Sequence, residues 1–314
     1  MGLKPLPILI WVMAAFAGAT IAPAPSAHAA ENASGKPARI VSLAPSVTET
    51  LFAVGAGKDV VGVSESDNYP PAVRKLPRVG TFLAPNLEEI AALRPTLVIG
   101  LVSSANQREV RALSEMGYPT LMVKEDSIAE IEHSITVVGD RTGHPRRAGK
   151  VIAGIQAQIN KVKKLMSCVI DRRVLMLVGH QPMVAVGHGT FLDQLLGLAH
   201  ADNIADGLPG SWPRVSMEYV IAKKPQVILD GQIGTDPSTP GDFWSRFQII
   251  PAVQQHRVHG YPTDPTLTPG PRIGQTLMML IRLIHPEAFG SGVVTAEETQ
   301  PGLAEIATAS DLAR

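Results

Sequence analysis

The sequence predicts an α/β protein of two lobes, each built around a central parallel sheet, with one long backbone helix joining the lobes. Three observations predict this fold class. A helix–proline–strand unit occurs twice, over residues 87–100 and 217–230, at a constant offset of 130 residues. Short apolar strands alternate with helices around both copies, the order typical of parallel sheets. Between the copies, residues 145–166 carry apolar side chains at three- and four-residue steps, the period of a single helix.

The repeated unit indicates two similar lobes because each copy must bury its own strand. Each copy begins with a short helix that has an acidic residue in its first turn, Glu88 in one and Glu218 in the other. The helix dipole favours negative charge at that position, and we expect both carboxylates to be exposed. A proline ends each helix, and an apolar strand follows. Two lobes enclose a cleft, and clefts bind ligands.

Residues 1–30 are predicted to be a secretory signal peptide. Lys4 precedes an apolar stretch over residues 6–22, and residues 27–30 form a small-x-small cleavage pattern. A membrane anchor is the alternative, although the prolines at positions 23 and 25 and the cleavage pattern argue against it. No cysteine follows the apolar stretch, so we expect no lipoprotein anchor. We therefore expect a soluble protein exported to a bacterial periplasm.

The composition is that of a globular chain with no strong electric field. Of 314 residues, 45% are hydrophobic and 18% charged, and the 28 Lys and Arg balance the 28 Asp and Glu. This balance argues against partners such as nucleic acid or an anionic membrane surface. Cys168 is the single cysteine, so the fold depends on packing rather than on disulfides. We expect it to be a half-buried residue at a helix end rather than a reactive thiol.

The first lobe is predicted to span residues 38–144. Ser46 and Glu49 have the spacing of a capping box, which predicts a helix from Ser46 to about Val54. The remaining elements follow from short apolar runs and from three- and four-residue periods. The predicted strands lie at 39–43, 60–63, around 79, 97–100 and 120–123, and the other helices near 87–92 and 107–116.

The connecting helix is predicted over residues 145–167, with Pro145 in its first turn. At 1.5 Å per residue it is about 30 Å long, enough to span a small lobe. The alternative is a helix that belongs to one lobe only. The second lobe is predicted over residues 168–286, with strands at 173–177, 227–230 and 258–261 and helices at 190–198, 217–223, 243–253 and 274–284, the third of them broken by Pro251. Residues 287–314 have no apolar period and are predicted to be a loosely held tail.

Three aromatic residues lie on predicted loops at strand ends, where α/β lobes place ligand contacts. They are Tyr69 beside two prolines, Phe82 after a short strand, and Trp212 before the second repeat. Aromatic residues make up only 4% of the chain. Their position at strand ends predicts stacking on a large flat ligand. The alternative is that each of them fills a local gap.

No pattern in the chain predicts catalysis. The hydrolase Gly-x-Ser-x-Gly, the metalloprotease His-Glu-x-x-His and the phosphate loop are all missing. His180 and His188 lie near one strand end and are candidate metal ligands, but a metal site needs three or four ligands. We expect a polar loop that lines a pocket, with no metal and no cofactor. A metal chelatase of two α/β lobes is the enzyme alternative, and it would act through these histidines.

Five short stretches of the chain carry a resemblance to a known family: residues 42–49 (SLAPSVTE), 66–71 (SDNYPP), 79–88 (VGTFLAPNLE), 212–218 (WPRVSME) and 269–273 (PGPRI). They resemble the periplasmic substrate-binding proteins of ABC importers in which one long helix joins two α/β lobes. Members of this family carry cobalamin, haem or ferric siderophores. The similarity covers residues 38–286 and is strongest to the members that bind cobalamin (vitamin B12).

The resemblance implies roles for particular residues. Trp212 and Phe82 match aromatic residues that flank the corrin, and Asp264 matches an acidic pocket residue. Ser66 stands where the cobalamin binders have a pocket tyrosine, and Thr268 stands where they have an arginine. These departures imply that the polar contacts to the ligand differ.

The resemblance also implies the partners. Glu88 and Glu218 match two glutamates that dock onto arginines of a membrane permease dimer, which works with its ATPase. The chain is then a non-enzymatic receptor, expected to be monomeric, that binds cobalamin or a related corrinoid with Tyr69 and Ser66 also near the ligand. His180 is expected near the ligand too, because of its place on the polar loop at a strand end. Haem or a ferric siderophore is the alternative cargo, and Tyr69 would then be a candidate ligand to haem iron.

Overall fold

The computed structural model describes residues 38–103, 105–180, 182–231 and 243–289, with the backbone alone for His180. The predicted signal peptide over residues 1–30 and the tail from residue 290 onward lie outside these ranges. The described residues all belong to one compact unit. Across the part of the chain that is described, no helix combines the length and the apolar character needed to cross a bilayer.

Helices and strands alternate along most of the chain. The helices are α1 Pro45–Ala53, α2 Leu87–Ala92, α3 Gln107–Glu115, α4 Ile128–Arg141, α5 Pro145–Leu165, α6 Phe191–Leu198, α7 Met217–Lys223, α8 Pro251–Gln254, α9 Thr263–Leu267 and α10 Ile273–Ile284. The strands are β1 Ile40–Ser42, β2 Val60–Gly62, β3 Leu97–Leu101, β4 Thr120–Val123, β5 Arg172–His180, β6 Met183–Ala185, β7 Ala201–Asn203, β8 Val227–Asp230 and β9 Val258–Gly260.

Two sheets form the centres of two lobes, as predicted. The first has the order β2-β1-β3-β4, and all of its pairs are parallel. The second has the order β6-β5-β8-β9, with β7 also beside β5, and only its β5–β6 pair is antiparallel. The inner strands β3 and β8 are buried along nearly their whole length because helices cover both faces of such sheets. The predicted two-lobe α/β fold is confirmed.

Helix α5 is the long helix that the apolar period predicts. It begins at Pro145, whose missing N–H is not needed in a first turn, and continues for 21 residues. Its buried stripe includes Ile155, Ile159 and Val162. The helix packs against α1 and α4 of the first lobe and against α6 and α10 of the second. The lobe boundaries at residues 144 and 168 stay a prediction.

Three local predictions were wrong, and one helix was missed. Cys168 was expected to be half-buried, but it is exposed. Helix α1 begins at Pro45, one residue before Ser46, so the Ser46 hydroxyl lies inside the helix and forms no cap. Val79 lies beside an isolated bridge of Arg78 rather than in a strand. Residues 243–253 were expected to be helical with a break at Pro251, and Pro251 does begin a separate four-residue helix. Helix α4 was not predicted at all, although Ser127 caps it through a hydrogen bond to the Glu130 N–H.

The repeat of 130 residues extends to the backbone conformation. Arg94 and Lys224, each directly before the proline, have φ values of 48° and 51°. Gly80 and Gly210, also 130 positions apart, have φ values of 88° and 86°, which glycine adopts without strain. The two copies therefore share a loop, a helix, a left-handed residue and an inner strand. This equivalence places corresponding loop residues of the two lobes in corresponding positions.

Candidate functional site

Phe82 and Trp212 occupy equivalent positions in the two copies of the repeat, two residues after the left-handed glycines. Phe82 is partly buried and packs against the main apolar core, whereas Trp212 keeps 47% of its surface exposed. Two hydrogen bonds between Thr81 and Ala84 close the first loop. Each lobe thus presents one aromatic side chain from the loop that precedes its α2 or α7 helix.

The loop that carries Trp212 runs beside β6 and is held there by backbone hydrogen bonds. The Gly187 N–H donates to the Ser211 carbonyl, and the Ala185 N–H donates to the Pro213 carbonyl, both over 2.9 Å. A Cβ atom at Gly187 would approach the Gly210 carbonyl oxygen to 2.6 Å, so this close approach requires glycine. The Trp212 side chain therefore lies on a loop that is held against the edge of the second sheet.

The loop that carries Tyr69 and Ser66 is fixed by a guanidinium. Arg78 Nη1 donates to the carbonyl oxygens of Ser64 and Asp67, each over 2.8 Å. Asp67 is fully buried and accepts a hydrogen bond from the Ser64 hydroxyl, and burial raises its pKa. Ser66 is exposed at the top of this loop, and Tyr69 is half-buried.

One face of the Tyr69 ring is covered by Arg272. The Arg272 guanidinium carbon lies 4.3 Å from the ring centroid, the geometry of a cation–π contact. Burial raises the pKa of the Tyr69 hydroxyl, and the Arg272 charge works against that shift. Because the guanidinium occupies one face, Tyr69 can meet a ligand only with its other face or its hydroxyl.

Arg272 in turn forms a buried ion pair with Glu49, 223 positions away in the chain. Arg272 Nε donates to Glu49 Oε2 over 2.7 Å, and Nη2 donates to the other carboxylate oxygen. The Glu49 side chain is 3% exposed and the Arg272 side chain 15% exposed. Burial raises the pKa of Glu49, and the two-pronged contact to Arg272 opposes the rise. The pair joins α1 of the first lobe to the start of α10.

Asp264 lies near this ion pair, on α9. Its side chain is exposed, and its charge contributes to the raised pKa of Glu49. The Thr268 hydroxyl donates to the Asp264 carbonyl oxygen over 2.6 Å, so this hydroxyl already has a partner within the turn. The structure therefore brings Tyr69 and Asp264 together around Arg272 and Glu49.

The predicted aromatic residues do not form one cluster. Among the described residues, no ring contact joins Phe82, Trp212 and Tyr69 to one another. Phe82 and Trp212 are each presented by their own lobe, and Tyr69 belongs to the Arg272 group. The side chain of His180, another predicted pocket residue, lies outside the described part of the chain, although its backbone ends β5.

Glu88 and Glu218 are exposed in the first turns of α2 and α7, as the repeat predicts. Asn86 caps α2 by accepting from the Glu88 and Glu89 N–H groups over 3.1 and 3.2 Å. Ser216 caps α7, and its hydrogen bond to Glu218 lowers the pKa of that carboxyl group. Both glutamates are therefore on rigid, capped helix ends.

His188 belongs to a surface cluster with Asp206 and Asp193. Its Nδ1 lies 2.7 Å from Asp206 Oδ1 and 3.7 Å from Asp193 Oδ2. The hydrogen bond to Asp206 raises the pKa of His188. Asp193 Oδ1 also accepts from Asn203 Nδ2 over 2.8 Å. The three groups are close enough to hold a cation, but the His188–Asp206 hydrogen bond, the ion-pair distance to Asp193 and the hydrogen bond from Asn203 already account for their positions.

Sequence reasoning missed the pairing of Glu49 with Arg272. Glu49 was interpreted as part of a capping box, and Arg272 had no assigned role. A signal was present, since residues 42–49 and 269–273 are both short stretches that resemble the family and each holds one charged residue of opposite sign. Only the folded chain shows that these two charges meet.

The comparisons with known proteins agree with this architecture. The sequence pattern of the family described as periplasmic binding protein matches residues 40–265. The chain belongs to this family. It is similar to the Vitamin B12-binding protein of Pectobacterium carotovorum, with 29% identity over 219 residues that cover 69% of this chain and 79% of the relative.

A second relative is an uncharacterized ABC transporter substrate-binding lipoprotein of Bacillus subtilis. It is 30% identical over 263 residues, which cover 81% of this chain and 82% of the relative. The family and this relative identify the chain as a substrate-binding protein of an ABC transporter. The predicted resemblance to such proteins is confirmed.

Solved structures show the same fold with two kinds of named ligand. The periplasmic heme-binding protein RhuT from Roseiflexus superposes with a TM-score of 0.73 at 29% identity, covering 81% of this chain and all of that one. The periplasmic vitamin B12 binding protein BtuF of Vibrio cholerae superposes with a TM-score of 0.70 at 25% identity, covering 81% of this chain and 99% of that one.

Proposed function

We propose that this chain captures cobalamin or a related corrinoid between its lobes and delivers it to the permease of an ABC importer. The observation that carries the proposal is the equivalence of Phe82 and Trp212, one aromatic side chain on the corresponding loop of each lobe. Two such side chains suit a large flat macrocycle bound between them. The Vitamin B12-binding relatives support the corrinoid as cargo.

In this proposal the remaining site residues supply polar contacts. Asp264 accepts hydrogen bonds from the amide groups at the rim of a corrinoid, and Ser66 offers a hydroxyl on the fixed loop. Tyr69 meets the ligand with the face or the hydroxyl that Arg272 leaves open. No step of bond making or breaking is assigned to the chain, in keeping with a family of binding proteins.

Replacing the aromatic pair tests the cargo site. We expect F82A and W212A to weaken cyanocobalamin binding by about tenfold each in a calorimetric titration, since a stacked aromatic contributes about 1.5 kcal/mol or more. F289A is the matched control because Phe289 is also an exposed aromatic but stacks on Arg282 near the end of the described chain. Unchanged affinity in both site variants would contradict the proposed stacking.

Haem is the second candidate because the phenol of Tyr69 lies beside Arg272 and the heme-binding RhuT has the same fold. Tyrosinate is a known haem-iron ligand. If haem is the cargo, hemin gives a tyrosinate-type absorption spectrum that is lost in Y69F and Y69A. If cobalamin is the cargo, Y69F changes cyanocobalamin affinity by less than a factor of a few, because the ring and its Arg272 contact stay.

We propose that Glu88 and Glu218 dock onto two arginines of the permease dimer, one for each lobe. Both carboxylates are exposed and lie at equivalent, capped helix ends, so they are held in position for a partner's arginines. The double variant E88A/E218A is expected to abolish permease-dependent uptake of labelled cobalamin while leaving its binding intact. E89A is the control, since Glu89 is an exposed neighbour on the same helix. Normal uptake by the double variant would exclude this docking mode.

A further inference from the structure

Two large apolar side chains at one end of the first sheet are exposed to solvent. Leu83 is 57% exposed and Val102 is 49% exposed. Leu83 directly follows Phe82, and Val102 directly follows Leu101, the last residue of β3. Exposed apolar side chains grouped at one place on a surface commonly mark a binding site.

A buried amide ties the backbones beneath these two side chains together. Asn106 is 1% exposed, and its Nδ2 donates to the Phe82 carbonyl over 3.3 Å and to the Leu101 carbonyl over 3.4 Å. Asn106 is also the N-cap residue of α3, where asparagine usually caps its own helix. Its side chain makes no such cap here. The amide instead fixes the position of the Phe82 loop relative to the end of β3.

The place of these residues in the sheet favours a ligand site. Val102 continues the β3 ladder, because its N–H donates to the Val123 carbonyl over 2.9 Å at the carboxyl end of β4. Open parallel sheets bind ligands outside the carboxyl ends of their strands. Met116 is similarly exposed at 52%, but it follows α3 and precedes the amino end of β4. It therefore lies at the other end of the sheet.

We infer that Leu83 and Val102 form the apolar rim of the cargo site on the first lobe, and that Asn106 is the positioning residue that holds this rim beside Phe82. The rim contacts the apolar edge of a large flat macrocycle whose face stacks on Phe82. This inference rests on the proposed function and extends it to three residues that no aromatic or charge pattern singles out.

Cyanocobalamin titrations of the whole protein test the rim. Covering the exposed half of a leucine or valine contributes to affinity, so we expect L83S and V102T each to weaken binding by about fivefold. M116S is the matched control and is expected to bind like the wild type. The inference would be overturned if L83S and V102T bound cyanocobalamin with wild-type affinity, or if M116S lost as much affinity as they do. Neither result would contradict the proposed function. A wild-type chain that binds no cobalamin would overturn both.

The positioning role of Asn106 has its own readout. N106A is expected to weaken cyanocobalamin binding by about tenfold. The L83S substitution is expected to cost less affinity in the N106A background than in the wild type, because the rim is already displaced there. A purely structural role predicts a lower melting temperature and fully additive losses of affinity. If N106A does not fold, N106S keeps a small polar side chain while removing the bridging amide. Additive losses in N106S/L83S would then refute the positioning role.

Discussion

Removing the charge of Glu49 should destabilise the protein strongly, because it leaves the Arg272 guanidinium buried without its counter-charge. Glu49 is 3% exposed and Arg272 15% exposed, and two hydrogen bonds join them. Breaking such a buried pair costs about 3–5 kcal/mol. Water reaches part of the guanidinium, so we expect about 3 kcal/mol for E49Q. For a chain of this size that cost lowers the melting temperature by about 6–12 °C.

The measurement is urea denaturation of wild type, E49Q, R272Q and the double variant E49Q/R272Q. We expect the double variant to cost clearly less than the two single variants together, since both charges are then gone. E287Q is the control, because the Arg172–Glu287 contact of 2.9 Å involves a carboxylate that is 51% exposed. Exposed pairs contribute about 1 kcal/mol or less. If E49Q loses no more stability than E287Q, or the losses add fully, the buried ion pair does not join the lobes as described.

Three further predictions concern the same lobes. Burial raises the pKa of Glu125 to about 7. The contribution of this group to folding is therefore complete below pH 4.5, and roughly 3 kcal/mol of stability is lost as the pH rises through 7. In E125Q this part of the pH dependence of the free energy of unfolding in urea should disappear. G80A should cost about 2 kcal/mol and weaken cargo binding through Phe82, because Gly80 has a φ of 88° and an added Cβ would lie 2.6 Å from the Ala84 carbonyl oxygen. S216A should cost about 1 kcal/mol in thermal melts by removing the α7 cap. Unchanged stability in G80A or S216A would contradict the corresponding contact, and an unchanged pH dependence in E125Q would contradict the raised pKa of Glu125.

Much of the fold follows from local patterns in the chain. The apolar period of residues 145–166 matches α5 nearly residue for residue, because a single stripe must face both lobes. The repeat fixed the places of α2, β3, α7 and β8, since each copy carries its own cap, proline and strand. Helix α4 was not predicted, although Ser127 caps it. Strands β6 and β7 have three residues each, too few to show an alternation of apolar and polar side chains.

Fewer features of the candidate site than of the fold could be predicted from the sequence. The exposure of Glu88 and Glu218 follows from helix position alone, and so could be predicted. The pairing of Glu49 with Arg272 could not, because it joins residues 223 positions apart and depends on how the two lobes pack. For the same reason, the sequence could not show that the Arg272 guanidinium covers one face of the Tyr69 ring.

A calorimetric titration of the protein with cyanocobalamin, with hemin and a ferric siderophore measured alongside, tests the central claim most directly. Cobalamin captured between Phe82 and Trp212 predicts one tightly bound cyanocobalamin per chain, weaker in F82A and W212A, and weaker or no binding of the other two compounds. Tight binding of hemin with a tyrosinate spectrum that depends on Tyr69, and no binding of cyanocobalamin, would contradict it.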